Sequence, residues 1–410
     1  MKVRHMQMID RWVGVPAGAL LTVWSRLAGL FRRRGQRPIR RVAFVKLAEQ
    51  GSTVLAIPAL QQVIDAVGRS NVYIVVFDEN RGIIDALDLL PAAQVVTIPG
   101  RGPWKMATGA LAALRTMRRL KIDAVIDMEF FARATALLTY LSGAHTRIGF
   151  YDFSGRAPYR GHLLTHPVQY SAARHTLESF LDLTSALPVP GAPPPAPRPT
   201  VDEAMEHMKF TFTGTAAEQA AARAIIQRAA QGEGLPLVLF NANCSDLLPL
   251  RKWPSERYLE LAQRMLQKYP ELHIAFTGGP SEGQGAQALV QQVGNPRCFN
   301  LAGLTTLKEL LNIYGLSRLL VTNDSGPAHF ASVTPIHVIV LFGPETPRLY
   351  RPRSATTHVV YAAKDCSPCV SAYNNRITTC TDNICMKDIT VDEVFELACR
   401  AYEAGAAPAR

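Results

Sequence analysis

The sequence predicts an α/β protein built from two doubly wound domains. Short apolar runs alternate with longer amphipathic segments in the first half of the chain, and the same alternation returns in the second half. This alternation is typical of parallel sheets covered by helices. A proline-rich segment, residues 188–199 (PVPGAPPPAPRP), lies between the halves and is typical of a linker or surface loop. A length of 410 residues suits two or three domains.

The elements follow from the apolar pattern. In the first half the pattern predicts strands at 42–47, 72–77, 94–98 and 124–127, with helices at 60–67, 104–120 and 132–141. In the second half it predicts a helix at 216–231 and strands at 235–240, 273–277, 319–322 and 338–342. We therefore expect an N-terminal segment at 1–40, a first domain at 41–200 and a second domain at 201–410.

The N-terminal segment carries most of the net charge. Residues 1–41 hold ten Lys or Arg against one acid, Asp10, which gives +9 of the chain's +11. Residues 9–31 are apolar and include Trp12 and Trp24. One interpretation is a helix on an anionic membrane surface. The other is a helix packed on the first domain with a solvated basic turn. A nucleic-acid partner is not expected, because no recognition motif accompanies the charge.

The bulk composition predicts a soluble, cytoplasmic protein. Hydrophobic residues make up 48% and charged residues 19% of the chain, as in ordinary globular domains. No apolar run reaches the roughly 18 residues of a spanning helix, and no convincing signal-peptide cleavage site follows the apolar N-terminal stretch. Peripheral binding to the inner face of a bacterial inner membrane stays open as an alternative.

Residues 321–347 (VTNDSGPAHFASVTPIHVIVLFGPETP) are the most informative stretch. Two apolar runs flank a turn in which Asp324 or Ser325 can cap the helix that follows, and Pro327 suits its first turn. Backbone N–H groups at such a helix start bind phosphate, and the carboxylate of Asp324 can hold a sugar hydroxyl. The stretch therefore predicts half of a nucleotide-sugar site.

These motifs resemble a known family. D-S-G-P-x-H followed by F-G-P-x-x-P is similar to the C-terminal signature of the family 9 glycosyltransferases, the ADP-heptose:lipopolysaccharide heptosyltransferases, and heptosyltransferase II-like members above all. Further blocks at 41–60, 238–254, 274–282 and 301–310 follow in the family's order. The resemblance covers about residues 41–395. It implies the GT-B fold, in which two Rossmann-like domains face a central cleft, with the acceptor on the first and the donor on the second.

The resemblance also implies an activity. It is an inverting transfer of heptose, or a related sugar, from a nucleotide-sugar such as ADP-heptose to a lipopolysaccharide-core, lipid-linked or related glycan acceptor. No cofactor is expected for catalysis, since Lys252 can neutralise the departing diphosphate. Two alternatives stay open. One is a protein or exopolysaccharide glycosyltransferase on the same fold, and the other is a catalytically silent nucleotide-sugar-binding or scaffold protein.

The residues that bind the donor are assigned by matching this sequence to the family's motifs. Lys252 matches the lysine of the family's K-W-P motif, which contacts donor phosphate, and Asp324 is expected to orient donor hydroxyls. His329 either faces the donor or packs beneath the helix start. The remaining predicted donor-binding residues are polar groups and glycines in turns after strands: Asn241, Asn243, Ser245, Thr277, Gly278, Gly279, Glu282, Ser325 and Gly326.

The acceptor side departs from the family. Heptosyltransferases carry Gly-Asp in the first glycine turn, and that aspartate is the expected general base. Here the turn reads Gly51-Ser52, and an unassisted serine is a poor base at neutral pH. Glu49 is one candidate replacement, and Asp127 or Glu129 are others; a silent protein or a changed acceptor is the third interpretation. By resemblance Asp127 and Glu129 line the acceptor side, where Arg133 could meet an anionic group.

Four cysteines cluster near the C-terminus as Cys366-x2-Cys369-x10-Cys380-x4-Cys385. Four thiolates in a short loop can bind zinc or iron, and disulfides are not expected in a reducing compartment. A structural metal and free thiols both stay open. A similar loop occurs in heptosyltransferase II-like proteins.

Overall fold

A computed structural model describes residues 3–30, 37–188, 210–244, 248–374 and 376–405, with the side chains of the first helix described at 10–28. The chain divides into two compact units. Unit 1 comprises residues 1–208 with 372–375, and unit 2 comprises 209–371 with 376–410. From residue 189 onward the predicted proline-rich segment lies outside the described residues, and so does the predicted domain boundary at 200.

Unit 1 contains a six-stranded parallel sheet in the order β3-β2-β1-β4-β5-β6. This is the strand order of a doubly wound Rossmann fold, which reverses direction between β1 and β4. The central strands are buried on both faces, which explains why they read as continuous apolar runs. The strands are β1 Val42–Val45, β2 Val72–Phe77, β3 Val95–Ile98, β4 Ala124–Asp127, β5 Thr146–Tyr151 and β6 His166–Gln169.

Seven α-helices of unit 1 lie among the described residues. Leu114 and Met117 of α5 and Leu138 of α6 pack against Val45 and Val125 of the sheet, and this forms the core of the unit. The first helix, α1, packs on α6. The helices are α1 Val3–Leu30, α2 Gln50–Leu55, α3 Ile57–Val67, α4 Arg81–Ala86, α5 Pro103–Arg119, α6 Arg133–Leu141 and α7 Thr176–Ser185.

Unit 2 repeats the architecture with a parallel sheet in the order β12-β11-β10-β7-β8-β9. Counted from β7, this is the Rossmann order again, with its reversal between β7 and β10. The strands are β7 Leu237–Asn241, β8 His273–Phe276, β9 Cys298–Asn300, β10 Leu319–Asn323, β11 His337–Phe342 and β12 Thr357–Tyr361. Two six-stranded parallel sheets confirm the predicted α/β class, while the cleft implied by the resemblance stays a prediction.

The helices of unit 2 bury apolar stripes on this sheet. Leu261 and Met265 of one helix and Val394 and Ala398 of the last helix contribute to a core that contains Trp253, and their spacing of four residues marks one helix face. The helices are α8 Ala216–Ala230, α9 Ser255–Lys268, α10 Gly283–Val293, α11 Leu307–Leu316, α12 Gly326–Ala331, α13 Pro347–Tyr350, α14 Ile384–Lys387 and α15 Val391–Ala404.

The strands missed by the sequence pattern are mainly peripheral. Strand β6 alternates between half-buried and exposed residues, and β12 is mostly half-buried, so neither gives a strong apolar signal. Strand β9 has only three residues. Edge strands pack on fewer neighbours, and their composition is correspondingly less apolar.

Candidate active site

The predicted site residues collect at the carboxyl ends of strands beside the two reversals of strand order. In unit 1 the turn that begins after β1 contains Glu49, and the loop after β4 contains Glu129. In unit 2 Asn243 follows β7, and Asp324 follows β10. Open α/β sheets bind ligands at these switch points. The topology therefore brings together residues that are distant in sequence within each unit.

Asn323, the last residue of β10, joins the pieces of the donor half. Its Oδ1 accepts hydrogen bonds from the backbone N–H of Trp253 at 3.0 Å and from the hydroxyl of Tyr258 at 3.2 Å. Its Nδ2 donates to the carbonyl of Asn243 at 3.0 Å. The side chain is fully buried. It therefore fixes the loop after β7 and the K-W-P segment against the strand that leads into Asp324.

Asp324 is buried beside a second carboxyl group that the sequence analysis did not select. Glu345 lies in the F-G-P-E-T-P turn after β11, and both side chains are less than 5% exposed. Nη1 of Arg251 lies 3.8 Å from Oδ2 of Asp324 and 3.8 Å from Oε2 of Glu345. Nε of Arg376 lies 3.1 Å from Oε1 of Glu345. Two arginines therefore compensate two buried carboxyl groups.

The two carboxyl groups share a proton. Burial and, after it, the nearby charge of Asp324 raise the pKa of Glu345 to about 8, although Arg251 opposes the shift. Burial also raises the pKa of Asp324, against the guanidinium of Arg251. A hydrogen bond links the two groups. Two neighbouring carboxylates disfavour double ionisation, so Glu345 is the protonated partner at neutral pH.

His329 lies beneath this cluster. It is 6% exposed, and its Nδ1 has no hydrogen-bond partner among the described residues. Burial, assisted by the charge of Arg251, lowers the pKa of His329 to about 4, so the ring is neutral at physiological pH. Of the two predicted roles, packing beneath the helix start is the one that this burial favours.

Lys252 differs from its neighbour Arg251. The Lys252 side chain is exposed and forms no ion pair with any residue in the described ranges. Its backbone carbonyl accepts a hydrogen bond from Nδ2 of Asn383 at 2.9 Å, and its N–H donates to the carbonyl of Pro249 at 3.0 Å. The backbone is therefore fixed while the ammonium group stays open to a ligand.

The helix that follows β10 is short. Helix α12 has six residues; Ser325 occupies the N-cap position and Pro327 lies in the first turn, as predicted. The side-chain cap is a wrong prediction, because no side chain caps the helix. The hydroxyl of Ser325 donates instead to the carbonyl of Asn323 at 3.2 Å, and Asp324 faces Arg251. Gly326 begins the helix.

The other predicted donor residues lie at the ends of β7 and β8. Nδ2 of Asn241 donates to the carbonyl of Thr277 at 3.2 Å, which ties the two strand ends together. The carboxylate of Glu282 accepts from the N–H of Gly279 at 2.6 Å. A Cβ at Gly278 would lie 2.7 Å from that carboxylate, which explains the glycine there. Ser245 lies outside the described residues.

In unit 1 the glycine turn brings Glu49 to Ser52. Oε2 of Glu49 lies 3.4 Å from the hydroxyl of Ser52, which donates to the Glu49 carbonyl at 3.0 Å. Glu49 has φ 66° and ψ 83°, a left-handed conformation that costs energy for a residue with a side chain. Gly51 and Ser52 are buried in α2. The carboxylate therefore reaches the position where the family pattern has its aspartate.

The other two carboxylates of this half have strong partners. Oε1 of Glu129 accepts from Nζ of Lys46 at 3.1 Å and from the N–H of Ala48 at 2.9 Å. Asp127 is fully buried and pairs with Arg160. Burial raises the pKa of Asp127, although Arg160 opposes the shift. Glu129 therefore joins the loops after β1 and β4, whereas Asp127 joins the end of β4 to the segment between β5 and β6.

Arg133 contacts the first helix. Its Nη1 lies 3.0 Å from Oδ2 of Asp10, and its Nε donates to the carbonyl of Tyr159 at 2.8 Å. Arg133 is 8% exposed. Arg133 therefore makes a structural contact with α1. Its contact with an anionic acceptor stays a prediction.

The chain matches the model of a known family, Glycosyltransferase family 9 (heptosyltransferase), over residues 110–377. The match covers more than half of the chain. The protein belongs to glycosyltransferase family 9.

Known relatives of this family 9 protein agree with the assignment. Lipopolysaccharide heptosyltransferase 2 of Salmonella typhimurium strain LT2 is 26% identical over 115 residues, which are 27% of this chain and 32% of the relative. The match thus spans about a third of that curated relative. A Veillonella parvula family 9 glycosyltransferase has a similar fold, with a TM-score of 0.67 at 18% identity over 90% of this chain and 98% of the other. Escherichia coli ADP-heptose LPS heptosyltransferase II has a TM-score of 0.64 at 16% identity, over 90% of this chain and all of the other.

The cysteine loop of this family 9 protein packs on the turn that carries Glu345. The N–H of Cys369 donates to the carbonyl of Pro344 at 3.0 Å, and a Cβ at Gly343 would lie 3.0 Å from Sγ of Cys385. Arg376 comes from the same loop. Burial raises the pKa of Cys385, and the other three thiols of the loop raise it further. The loop therefore supports the carboxyl pair.

Among the described residues, no three His, Cys, Asp or Glu side chains are arranged to hold a metal ion. The four thiols are Cys366, Cys369, Cys380 and Cys385, and none of them forms a disulfide bond with a described residue. As placed, they do not form a tetrahedral ligand set, and the zinc or iron site stays a prediction.

Metal analysis of the purified protein checks that prediction. If the loop binds metal, the protein should contain about one zinc or iron ion per chain, because four thiolates bind one ion. The metal should be lost in Cys366→Ser and kept in Cys298→Ser, a cysteine outside the loop. A metal-free protein with full secondary structure and cooperative unfolding would contradict it.

Glu345→Gln should change how stability depends on pH. The raised pKa means that the folded chain binds the Glu345 proton more tightly than the unfolded chain does. This contribution to the free energy of unfolding is complete below the unfolded value near 4.5 and is lost as pH rises to about 8. Glutamine cannot ionise, so Tm of the variant minus Tm of the parent should grow by at least about 3 °C from pH 5 to pH 8.

Glu256→Gln is the matched control, because Glu256 is an exposed carboxylate in the first turn of α9. Its Tm should follow that of the parent at every pH. Parallel curves for Glu345→Gln and the parent would show that the carboxyl pair does not share a proton.

Proposed function

We propose that this family 9 protein is an inverting glycosyltransferase that moves heptose from ADP-heptose to an acceptor of the lipopolysaccharide core. The observation that carries the proposal is the switch point of unit 2, where Asp324 is held by Arg251 beside the exposed Lys252. A carboxylate and a cation at this edge suit the sugar and diphosphate of one ligand. The Escherichia coli relative, whose name includes ADP-heptose, supports the choice of donor.

Lys252 is the cation for the departing diphosphate. The charge of Arg251 is offset by Asp324 and Glu345, whereas the exposed Lys252 has no ion pair within the described ranges. A phosphate oxygen that gains charge as the glycosidic bond breaks is stabilised by a positive charge fixed nearby. Asp324 accepts hydrogen bonds from donor hydroxyls, because Glu345 keeps the shared proton and leaves Asp324 ionised.

Glu49 is the general base for the acceptor. Hydrogen bonds from Lys46 and Ala48 occupy Glu129, and Asp127 is fully buried against Arg160, so an acceptor hydroxyl does not reach Asp127. Glu49 takes the proton of the acceptor hydroxyl, the oxygen forms a bond to the anomeric carbon, and the bond from that carbon to the diphosphate oxygen breaks. ADP leaves with the electron pair, and the configuration inverts.

The reaction takes place at the cytoplasmic face of the inner membrane. A lipopolysaccharide-core acceptor is attached to lipid, so its hydroxyl groups lie close to a bilayer. The basic, apolar segment at residues 1–41 supports this location.

Release of ADP from ADP-heptose in the presence of lipopolysaccharide from a heptose-deficient strain tests the proposal. We expect ADP release and a mass increase of one heptose on the acceptor, with UDP-glucose as the matched donor that gives neither. Donor binding without ADP release would favour the silent binding protein instead. Transfer from another nucleotide-sugar would keep the fold assignment and overturn the choice of donor.

Lys252→Ala should lower kcat by about 100-fold or more, the usual effect of removing one group that stabilises a developing negative charge. Steady-state kinetics with ADP-heptose measures the effect. The matched control is Lys268→Ala, because Lys268 is a partly exposed lysine at the far end of α9 in the same unit. Equal turnover in the two variants would remove Lys252 from the mechanism.

Glu49→Gln should lower kcat by about 100-fold or more, because general base catalysis typically contributes this much, while the Kd for ADP-heptose stays within about twofold. Rapid-mix turnover and calorimetry separate the two quantities. Glu79→Gln is the control, since Glu79 follows the neighbouring strand β2 and pairs with Arg101 at the surface. Normal turnover by Glu49→Gln would transfer the role of base to another group.

A further inference from the structure

Helix α1 has an inner face that fixes it to unit 1. Asp10, Gly14, Gly18 and Thr22 recur at every fourth position and therefore lie along one side of the helix. Oδ1 of Asp10 accepts from the N–H groups of Arg133 at 3.0 Å and Ala134 at 2.9 Å. These are the first two N–H groups of α6, so Asp10 caps a helix to which it does not belong.

The rest of the inner face is closely packed. A Cβ at Gly14 would lie 2.6 Å from Cβ of Arg133, and a Cβ at Gly18 would lie 3.5 Å from the backbone N of Gly161. The hydroxyl of Thr22 accepts from the N–H of His162 at 3.0 Å and donates to the Gly18 carbonyl at 2.6 Å. The contacts fix the rotation of α1 about its axis, and hence which side chains point away from unit 1.

The outer face of α1 is apolar and exposed. Trp12 is 73% exposed, Leu20 72% and Trp24 65%. At 100° per residue the exposed apolar residues fall within an arc of about 120° opposite the inner face. Monomeric soluble domains seldom expose a contiguous apolar patch of this kind without a partner. The residues of the outer face are Trp12, Val13, Leu20, Val23, Trp24 and Leu27.

Among the described side chains of α1, the exposed charges are basic. Asp10 is the one acid in residues 1–41, and its carboxylate is taken up by Arg133 and the start of α6. Arg11 and Arg26 are exposed on α1; at 100° per residue Arg26 lies beside the outer face, whereas Arg11 lies on the side of Gly18. A partner that binds α1 therefore meets basic groups without a compensating carboxylate from this segment.

We propose that the outer face of α1 docks on an anionic phospholipid bilayer, with the helix lying in the plane of the surface. Tryptophan and leucine side chains enter the boundary between headgroups and acyl chains, and arginines pair with lipid phosphates. A second copy of the chain fits less well, because two segments of charge +9 would repel each other. None of the described helices combines the length and hydropathy needed to cross a membrane.

Docking of α1 on a bilayer would also fix the position of the predicted acceptor side relative to the lipid. Helix α6 directly follows the loop after β4 that contains Glu129, and α1 is bonded to the first turn of α6. A bilayer that holds α1 therefore holds this loop at a fixed distance from the lipid surface. Binding of α1 to lipid does not depend on the sugar-transfer reaction.

Vesicle sedimentation of the full chain tests the proposal. The protein should bind vesicles of phosphatidylcholine with phosphatidylglycerol, bind phosphatidylcholine alone at least about tenfold more weakly, and lose binding as salt screens the lipid charge. The triple variant Trp12→Ser, Leu20→Ser, Trp24→Ser should reduce the partition coefficient at least about tenfold, because it removes three apolar side chains that would be buried.

Trp104→Ser is the matched control, because Trp104 is an 84% exposed tryptophan of unit 1 on α5, and it should bind within about twofold of the parent. Circular dichroism should show equal helix content in all variants, since every changed side chain is exposed. Undiminished binding by the triple variant, or no binding by the parent, would overturn the proposal. A parent that is dimeric by light scattering and a triple variant that is monomeric would assign the face to a second copy instead.

Discussion

The donor half depends on the hydrogen bonds of Asn323. A buried amide can be satisfied only by partners with the right geometry, and Asn323 finds them in the backbone of Trp253, the hydroxyl of Tyr258 and the carbonyl of Asn243. These partners belong to segments up to 80 residues away in sequence. Because Asp324 is the next residue, the same network that closes the core of unit 2 also sets the position of the carboxylate and of the K-W-P segment.

This fixed frame makes a buried pair of carboxyl groups possible. An isolated buried carboxylate would be costly, but Asp324 and Glu345 share one proton and face Arg251, while Arg376 adds a second cation to Glu345. The pair therefore keeps one negative charge at the proposed donor site. It leaves the positive charge of Lys252 uncompensated within the described residues. A difference of one residue in the chain thus separates a cation used for structure from a cation available to a ligand.

The sequence predicts the centre of each unit better than its periphery. Apolar runs such as β2 and β4 are buried on both faces and are recovered with their observed ends, whereas β6 and β12 lie at sheet edges and lack that signal. Motifs locate Asp324 and Lys252 because both residues lie next to regular elements. Asp324 directly follows β10, and Lys252 lies just before α9. Glu345, Arg376 and Asn323 could not be selected from the pattern alone, because their partners come from separate loops that only folding brings together.

Asp10 makes the two interpretations of the N-terminal segment compatible. From composition, residues 1–41 suit both a packed helix and a membrane-surface helix, and the structure contains the first without excluding the second. Packing requires a polar residue that can cap α6, and Asp10 supplies it from the inner face. Once that carboxylate is directed inward, the outer face is formed by tryptophan, valine and leucine side chains, with the exposed Arg26 beside it. The contact that attaches α1 to unit 1 is therefore also the reason that its opposite face is suited to an anionic lipid surface.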